Sequence, residues 1–249
     1  MAYQKKFKLL LLNLGYCTGI NGSLSQYISK FHRYIFLHSK VEKGVLNKLK
    51  KIILEEKPDL VCLTEIKQGK QIKTLINNKY FFYDIETKYG QKSILRKLPF
   101  FHNKGNAFIS KRKLSFKKHY LINGTKKLLY EIIIPGNISL ILMHFSLKKK
   151  ARSKQFKEIQ KMFSNPSQKI ICGDFNILGG ISELNCLTKN LDLKLAHQEP
   201  TFPAFRPNKP LDLFLCSKSI KAKTRILSNQ LSDHLPVIVE ISLNKLASR

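Results

Sequence analysis

The chain has 249 residues, with 45 Lys and Arg against 16 Asp and Glu, giving a formal net charge of +29. Its 43% hydrophobic and 24% charged content is globular and excludes a disordered or collagenous chain. No stretch nears the ~20 apolar residues of a membrane-spanning helix, and five scattered cysteines without a C-x-x-C pair exclude a zinc knuckle or thioredoxin-type site.

In chain order, Phe7 to Asn13 reads as a buried strand. Asn13 and Gly15 break the apolar run before it reaches the length of a signal-peptide core. Cys62, Cys172 and Cys216 sit in apolar runs as small hydrophobes, so a reducing, cytoplasmic setting is expected. Residues 15–40 form an aromatic-rich insertion with Tyr16, Tyr27, Phe31, Tyr34 and Phe36. It suits base stacking, lipid contact or a cap on the core, and a packed lid is the expectation. Val41, Val45, Leu49, Ile52 and Ile53 recur at helical spacing and predict a helix over 41–56 that stops before Pro58.

Asp59 to Leu63 predicts a short strand, and 67–78 a second helix. Strand-like runs follow at 80–86, 106–110, 128–134 and 138–143, then a basic helix at about 150–163. Lys169 to Gly173, Leu211 to Cys216 and Pro236 to Ile241 supply further strands. With no repeat or linker, a single domain over 1–249 is expected. The pattern predicts an α+β or layered sandwich with mixed, mainly antiparallel sheets. Rossmann and P-loop glycine motifs are absent. The cationic surplus suits a polyanion such as nucleic acid or an anionic lipid surface, although a Lys-rich solvated surface accounts for it equally.

Polar residues recur at the ends of apolar strands, where a rigid backbone holds a constellation in place. Asn13 ends the first strand, Glu65 follows Val61-Cys62-Leu63, and His144 follows Ile141-Leu142-Met143. Asp174 and Asn176 follow Ile170 to Gly173, and Asp233-His234 precede Pro236. Singly, Glu65 reads as a carboxylate at a helix N-terminus, and Asp174, Asn176 and Asp233 as turn or cap residues. Asp212 lies inside an apolar strand and needs a buried partner, for which a histidine is the natural choice.

Gly173-Asp174-Phe175-Asn176, followed by Ser232-Asp233-His234-Leu235-Pro236-Val237, resembles the endonuclease/exonuclease/phosphatase superfamily, of deoxyribonuclease I-like fold. Further matching pieces stand in order, from Leu12-Asn13-Leu14-Gly15 and Leu63-Thr64-Glu65 to Gly105-Asn106-Ala107, Met143-His144-Phe145, Thr201-Phe202-Pro203 and Leu211-Asp212. The resemblance spans residues 9 to 241 and is nearest the uncharacterised bacterial members. It implies a four-layer α/β/β/α sandwich and a metal-dependent phosphoric ester hydrolase.

On that resemblance Glu65, Asp233 and Asn13 would bind Mg²⁺, with Mn²⁺ as the alternative. Asp174 would orient or deprotonate the attacking water, and Asn176 would donate to the phosphate or hold that water. His234, paired with Asp212, would stabilise the transition state, and His144 would donate to a phosphate oxygen or assist the leaving group. Asn106, Lys104 and Arg206 are the expected substrate contacts, with Lys88, Lys92, Arg96 and Lys97 nearby and Lys148 to Lys154 as a further basic segment.

Thr64 stands where repair nucleases of the exonuclease III type carry Gln, and no Trp occurs in the chain. The Trp-Thr-Asp-Arg motif of inositol polyphosphate phosphatases is absent as well. Asn103-Lys104-Gly105 is similar to a piece shared by those phosphatases and sphingomyelinases, although no hydrophobic β-hairpin of the sphingomyelinase kind is evident. A nucleic-acid phosphodiesterase, endo- or exonuclease, is the first expectation. A phospholipid or phosphoinositide phosphoesterase in peripheral contact with anionic membranes is the second.

Overall fold

The computed structural model describes residues 6–243, so the ends of the expected 1–249 domain lie outside the described residues. Among the described residues twelve strands form two six-stranded sheets. The first joins β1 (Lys6–Asn13), β2 (Leu60–Lys67), β3 (Phe82–Thr87), β4 (Lys104–Ser110), β11 (Ala222–Ile226) and β12 (Val237–Ser242), in the order β11-β12-β1-β2-β4-β3. The second joins β5 (Ser115–Tyr120), β6 (Leu128–Ile134), β7 (Ile138–His144), β8 (Lys169–Asp174), β9 (Leu193–Leu195) and β10 (Asp212–Ser217), in the order β5-β6-β7-β8-β10-β9. Each sheet has one parallel pair, β1 with β2 and β7 with β8, and is otherwise antiparallel.

Side-chain alternation explains the layering. Leu9, Leu11, Leu60, Cys62 and Phe108 of the first sheet meet Leu140, Leu142, Ile170, Cys172 and Phe214 of the second in the core between them. The alternate residues Leu10, Leu12, Val61 and Leu63 face outward onto α2 (Ser39–Glu56) and α3 (Lys70–Leu75). Ile141, Met143, Ile171 and Leu213 likewise face α4 (Lys149–Met162) and α5 (Asn185–Asn190). Central strands covered on both faces must be apolar throughout, which is why they read as continuous hydrophobic runs. The outcome is the expected α/β/β/α sandwich.

The differences from expectation are local. β2 runs on to Lys67, absorbing Glu65 and the start of the helix expected at 67–78, which shrinks to α3. The strand survives its polar stretch because a bulge between Leu63 and Ile66 takes up the irregularity. β5, β9 and β11 lack an apolar signature because all three are sheet edges, half exposed and rich in Lys. The insertion at 15–40 buries Tyr16, Cys17 and Ile20, yet its short helix α1 (Leu24–Lys30) buries no residue, so it is not the packed lid expected.

Candidate active site

Strand register assembles the site at one end of both sheets. Parallel pairing sets His144 at the end of β7 against Asp174 at the end of β8, and antiparallel pairing sets Asp174 against Asp212 at the start of β10. In the other sheet Asn13, at the end of β1, lies opposite Thr64, one residue before Glu65. The Ser232 hydroxyl donates to the Asn13 carbonyl at 2.5 Å and accepts the His234 amide at 3.1 Å, fixing the segment that carries His234. Gly173 makes the β7–β8 approach possible: its φ is +140°, and a Cβ there would lie 1.7 Å from the Met143 carbonyl oxygen.

Asp174 is the hub. Its Oδ2 accepts Asn13 Nδ2 at 3.0 Å, with His144 Nε2 at 3.1 Å and His234 Nε2 at 3.9 Å beside it. Its Oδ1 accepts the Asn176 backbone amide at 3.0 Å. Burial would raise this carboxyl, but His144 and His234 beside it hold it well below the usual range. One Asn176 amide hydrogen is committed to the Phe145 carbonyl at 2.9 Å, so that side chain also ties the two strand ends together.

Asp212 has its expected partner. Its Oδ2 accepts His234 Nδ1 at 2.7 Å and the Thr201 hydroxyl at 2.7 Å, and the residue is fully buried. This bond fixes the ring so that Nε2 points toward Asp174. Burial disfavours the imidazolium, but Asp212, Asp174 and Asp233 outweigh it and push the His234 pKa up to about 10. Phe202 covers the ring at a centroid distance of 4.9 Å.

Glu65 lies at the β2 bulge with a left-handed φ of +53°, which swings its side chain out of the strand's alternation. Lys88 Nζ lies 3.5 Å from its Oε1 and also contacts the Tyr16 hydroxyl. His144 Nδ1 is 3.9 Å from the same oxygen. Burial would raise the Glu65 carboxyl, yet Lys88, His144 and Lys126 bring it down to about 2. His144 goes the other way: burial and the Lys126 ammonium, which contacts its Nε2, lower it to about 4. Asp233 accepts the Tyr27 hydroxyl at 2.5 Å, and burial raises its pKa.

The donor set fits a hard divalent cation. Glu65, Asp233 and Asn13 offer only oxygen ligands, as Mg²⁺ or Mn²⁺ prefers. On the adjacent strand both side-chain polar atoms of the buried Asn106 lack a partner among the described residues, a cost that a bound group or its water would relieve. Asp174, Asp212 and His234 also place ligand-type atoms within 4.8 Å of one another. The 2.7 Å bond between Asp212 and His234 Nδ1 makes that trio a hydrogen-bonded chain rather than a cation cage.

Asn13, Glu65, His144, Asp174, Asn176, Asp212 and His234 thus come together, with Asp233 next to His234 in the chain and bonded to Tyr27. Lys104 stands at the rim with Nζ 4.9 Å from the Tyr16 ring centre and 4.7 Å from that of Phe100. Arg206 is not brought in; it is exposed beside Phe205. Arg152, within the basic segment from Lys148 to Lys154, is buried against Glu183. Lys126 escaped the sequence reading, since Thr125-Lys126-Lys127 looks like any other basic pair in a chain this rich in Lys. Tyr27 was visible only as one aromatic among several.

No curated protein matches the sequence. Among solved structures, an endonuclease/exonuclease/phosphatase from Bacteroides vulgatus superimposes with a TM-score of 0.69 at 13% identity, covering 97% of this chain and 100% of that one. Beta toxin from Staphylococcus aureus gives 0.66 at 16% identity, covering 94% and 99%. A mannosyl-6-phosphatase from Bacteroides thetaiotaomicron gives 0.65 at 14% identity, covering 94% and 99%. At such identities these likenesses speak for the fold. The sequence model of the Endonuclease/Exonuclease/phosphatase family, however, matches residues 41–234, the span from α2 to His234, and by that match the chain belongs to this family of phosphoesterases.

Proposed function

We propose that this protein hydrolyses a phosphodiester by metal-assisted attack of water on phosphorus. The observation that carries the reading is the meeting of His144, His234 and Asn13 on one oxygen of Asp174, where the two sheets come together. A divalent cation held by Glu65, Asp233 and Asn13 would supply Lewis-acid polarisation of a phosphoryl oxygen. His234, charged and aimed by Asp212, donates through Nε2 to the charge that develops on the phosphoryl oxygens. Asp174 orients the attacking water; a carboxylate held so far below its usual pKa is a weak base and a good acceptor. His144, neutral at physiological pH, takes the Lys126 ammonium on Nε2 and would act on a phosphate oxygen or on the leaving group.

Asp174→Ala and His234→Ala should each abolish hydrolysis of bis(p-nitrophenyl) phosphate that EDTA inhibits. Near-normal turnover by both variants would overturn the assignment. The net charge serves nucleic acid and anionic lipid equally, so it does not choose between the two substrate classes. One structural observation favours a phospholipid: the rim beside Tyr27 is apolar and exposed. We therefore place the lipid phosphodiester first and nucleic acid second. Plasmid DNA, RNA and lipid phosphodiesters assayed in parallel, with Mg²⁺ and with EDTA, test that order. Cytoplasmic residence and a single folding unit remain part of this proposal, and no helix among the described residues is long and apolar enough to cross a membrane.

A further inference from the structure

Leu24, Ile28 and Phe31 recur at helical spacing along α1 and the turn after it, and are 75%, 73% and 61% exposed; Phe36 follows at 81%. A second segment, between β3 and β4, exposes Ile94, Leu98 and Phe100. Large side chains left in water in two segments, each tied to the site, mark an interaction surface rather than ordinary scatter. Both segments are tied to the site. Tyr27, between Leu24 and Ile28, bonds Asp233, while Phe100 packs on Lys104, which sits over Tyr16 beside Lys88 and Glu65.

Charge identifies the partner. Residues 15–40 contain Lys30, Arg33 and Lys40 and no acid, and residues 88–104 expose Lys92 and Lys97 and contain no acid; Lys88 and Lys104 are buried at the site, and Arg96 pairs with Glu86. A second copy of the chain would bring the same positive charge to this face. Nucleic acid could stack on Phe31, Phe36 and Phe100, but it would leave Leu24, Ile28, Ile94 and Leu98, aliphatic and exposed, with nothing that buries them. An anionic bilayer satisfies both features: its interface takes up apolar side chains, and its headgroups attract the surrounding lysines.

We propose that residues 24–36 and 94–100 form a docking surface for anionic phospholipid bilayers, presenting the Glu65–Asp233 side of the site to lipid headgroups. The inference rests on the phosphodiesterase reading for its purpose, but the binding is measured without turnover. Vesicles of phosphatidylcholine, with and without phosphatidylglycerol, are sedimented with the full chain in EDTA. Wild type should partition onto the anionic vesicles and much less onto phosphatidylcholine alone. Ile28→Asp with Phe36→Asp should cut that partition by roughly tenfold or more. Exposed positions tolerate such changes, so thermal unfolding and turnover of soluble bis(p-nitrophenyl) phosphate should match wild type.

Equal partition of variant and wild type overturns the proposal, as does equal binding to both vesicle types. Loss of plasmid binding in the variant, with no wild-type partition onto vesicles, overturns it in favour of nucleic acid. Vesicle binding that depends on Ile28 and Phe36 in a chain inert toward the soluble diester supports the surface and removes the hydrolase reading instead.

Discussion

His144, at the end of β7, and His234, in the segment before β12, approach the same atom, Oδ2 of Asp174, at 3.1 and 3.9 Å. Burial penalises the charged form of both rings, and their other neighbours then separate them. His234 is surrounded by Asp212, Asp174 and Asp233, whereas His144 faces the Lys126 ammonium. One carboxylate therefore holds an imidazolium and a neutral imidazole at the same pH. Pairs whose environments push their pKa values apart mark acid and base assignments in catalytic sites.

That separation is measurable by NMR titration of the metal-free protein in EDTA. His234 should stay cationic through neutrality and lose its proton near pH 10, while His144 should stay neutral down to about pH 4. The stability effects have opposite signs. His234, raised above an unfolded value of about 6.5, contributes stability fully present below that pH and lost as pH rises toward 10. His144, depressed, costs stability as pH falls from about 6.5 toward 4, because only the unfolded chain takes up the proton.

Asp212→Asn tests the positioning of His234. The amide keeps the shape and the Thr201 contact but removes the charge that favours the imidazolium. The His234 pKa should fall, and kcat should drop on the order of 10³-fold with KM little altered, as when a carboxylate that orients a catalytic histidine is neutralised. Unchanged kcat together with a shifted His234 titration would separate the electrostatic role from the catalytic one.

Lys126→Met removes the cation beside His144. Because Lys126 helps depress His144, the His144 pKa should rise, while that of Glu65, which Lys126 helps hold down, should rise as well. Turnover of the soluble diester should fall roughly tenfold or more if the ammonium helps His144 at the leaving group. A solvated surface lysine would move neither titration, so the NMR readout distinguishes the two.

Much of this arrangement is legible in the sequence because buried strands are apolar throughout and end on polar residues. Asn13, His144 and Asp174 stand out against their runs for that reason, and Asp212 stands out by interrupting one. What is not legible follows from the same physics. The edge strands β5, β9 and β11 carry little apolar signal because half of each faces water. Glu65 enters the site through a bulge and a left-handed φ, which no periodicity encodes. Lys126 is hidden by the abundance of its own residue type, and Arg206 stands between two matching motifs without reaching the cluster.

Arg152 supplies the last prediction, since its surroundings differ most from its sequence context. It stands in a run of lysines, yet its side chain is 1% exposed and that of its partner Glu183 is 6% exposed. Its guanidinium also donates to the carbonyls of Ser146 at 2.9 Å and Leu147 at 2.8 Å, fixing the segment that leaves His144. Removing it strands a buried carboxylate and two carbonyls, so Arg152→Ala should destabilise the fold by about 3 kcal/mol or more. Lys149→Ala and Lys150→Ala, three and two residues away and exposed, should each stay within about 0.5 kcal/mol of wild type. Urea unfolding of the three variants measures the contrast. If Arg152→Ala unfolds like its neighbours, the guanidinium is solvated in solution and contributes nothing to holding the His144 segment.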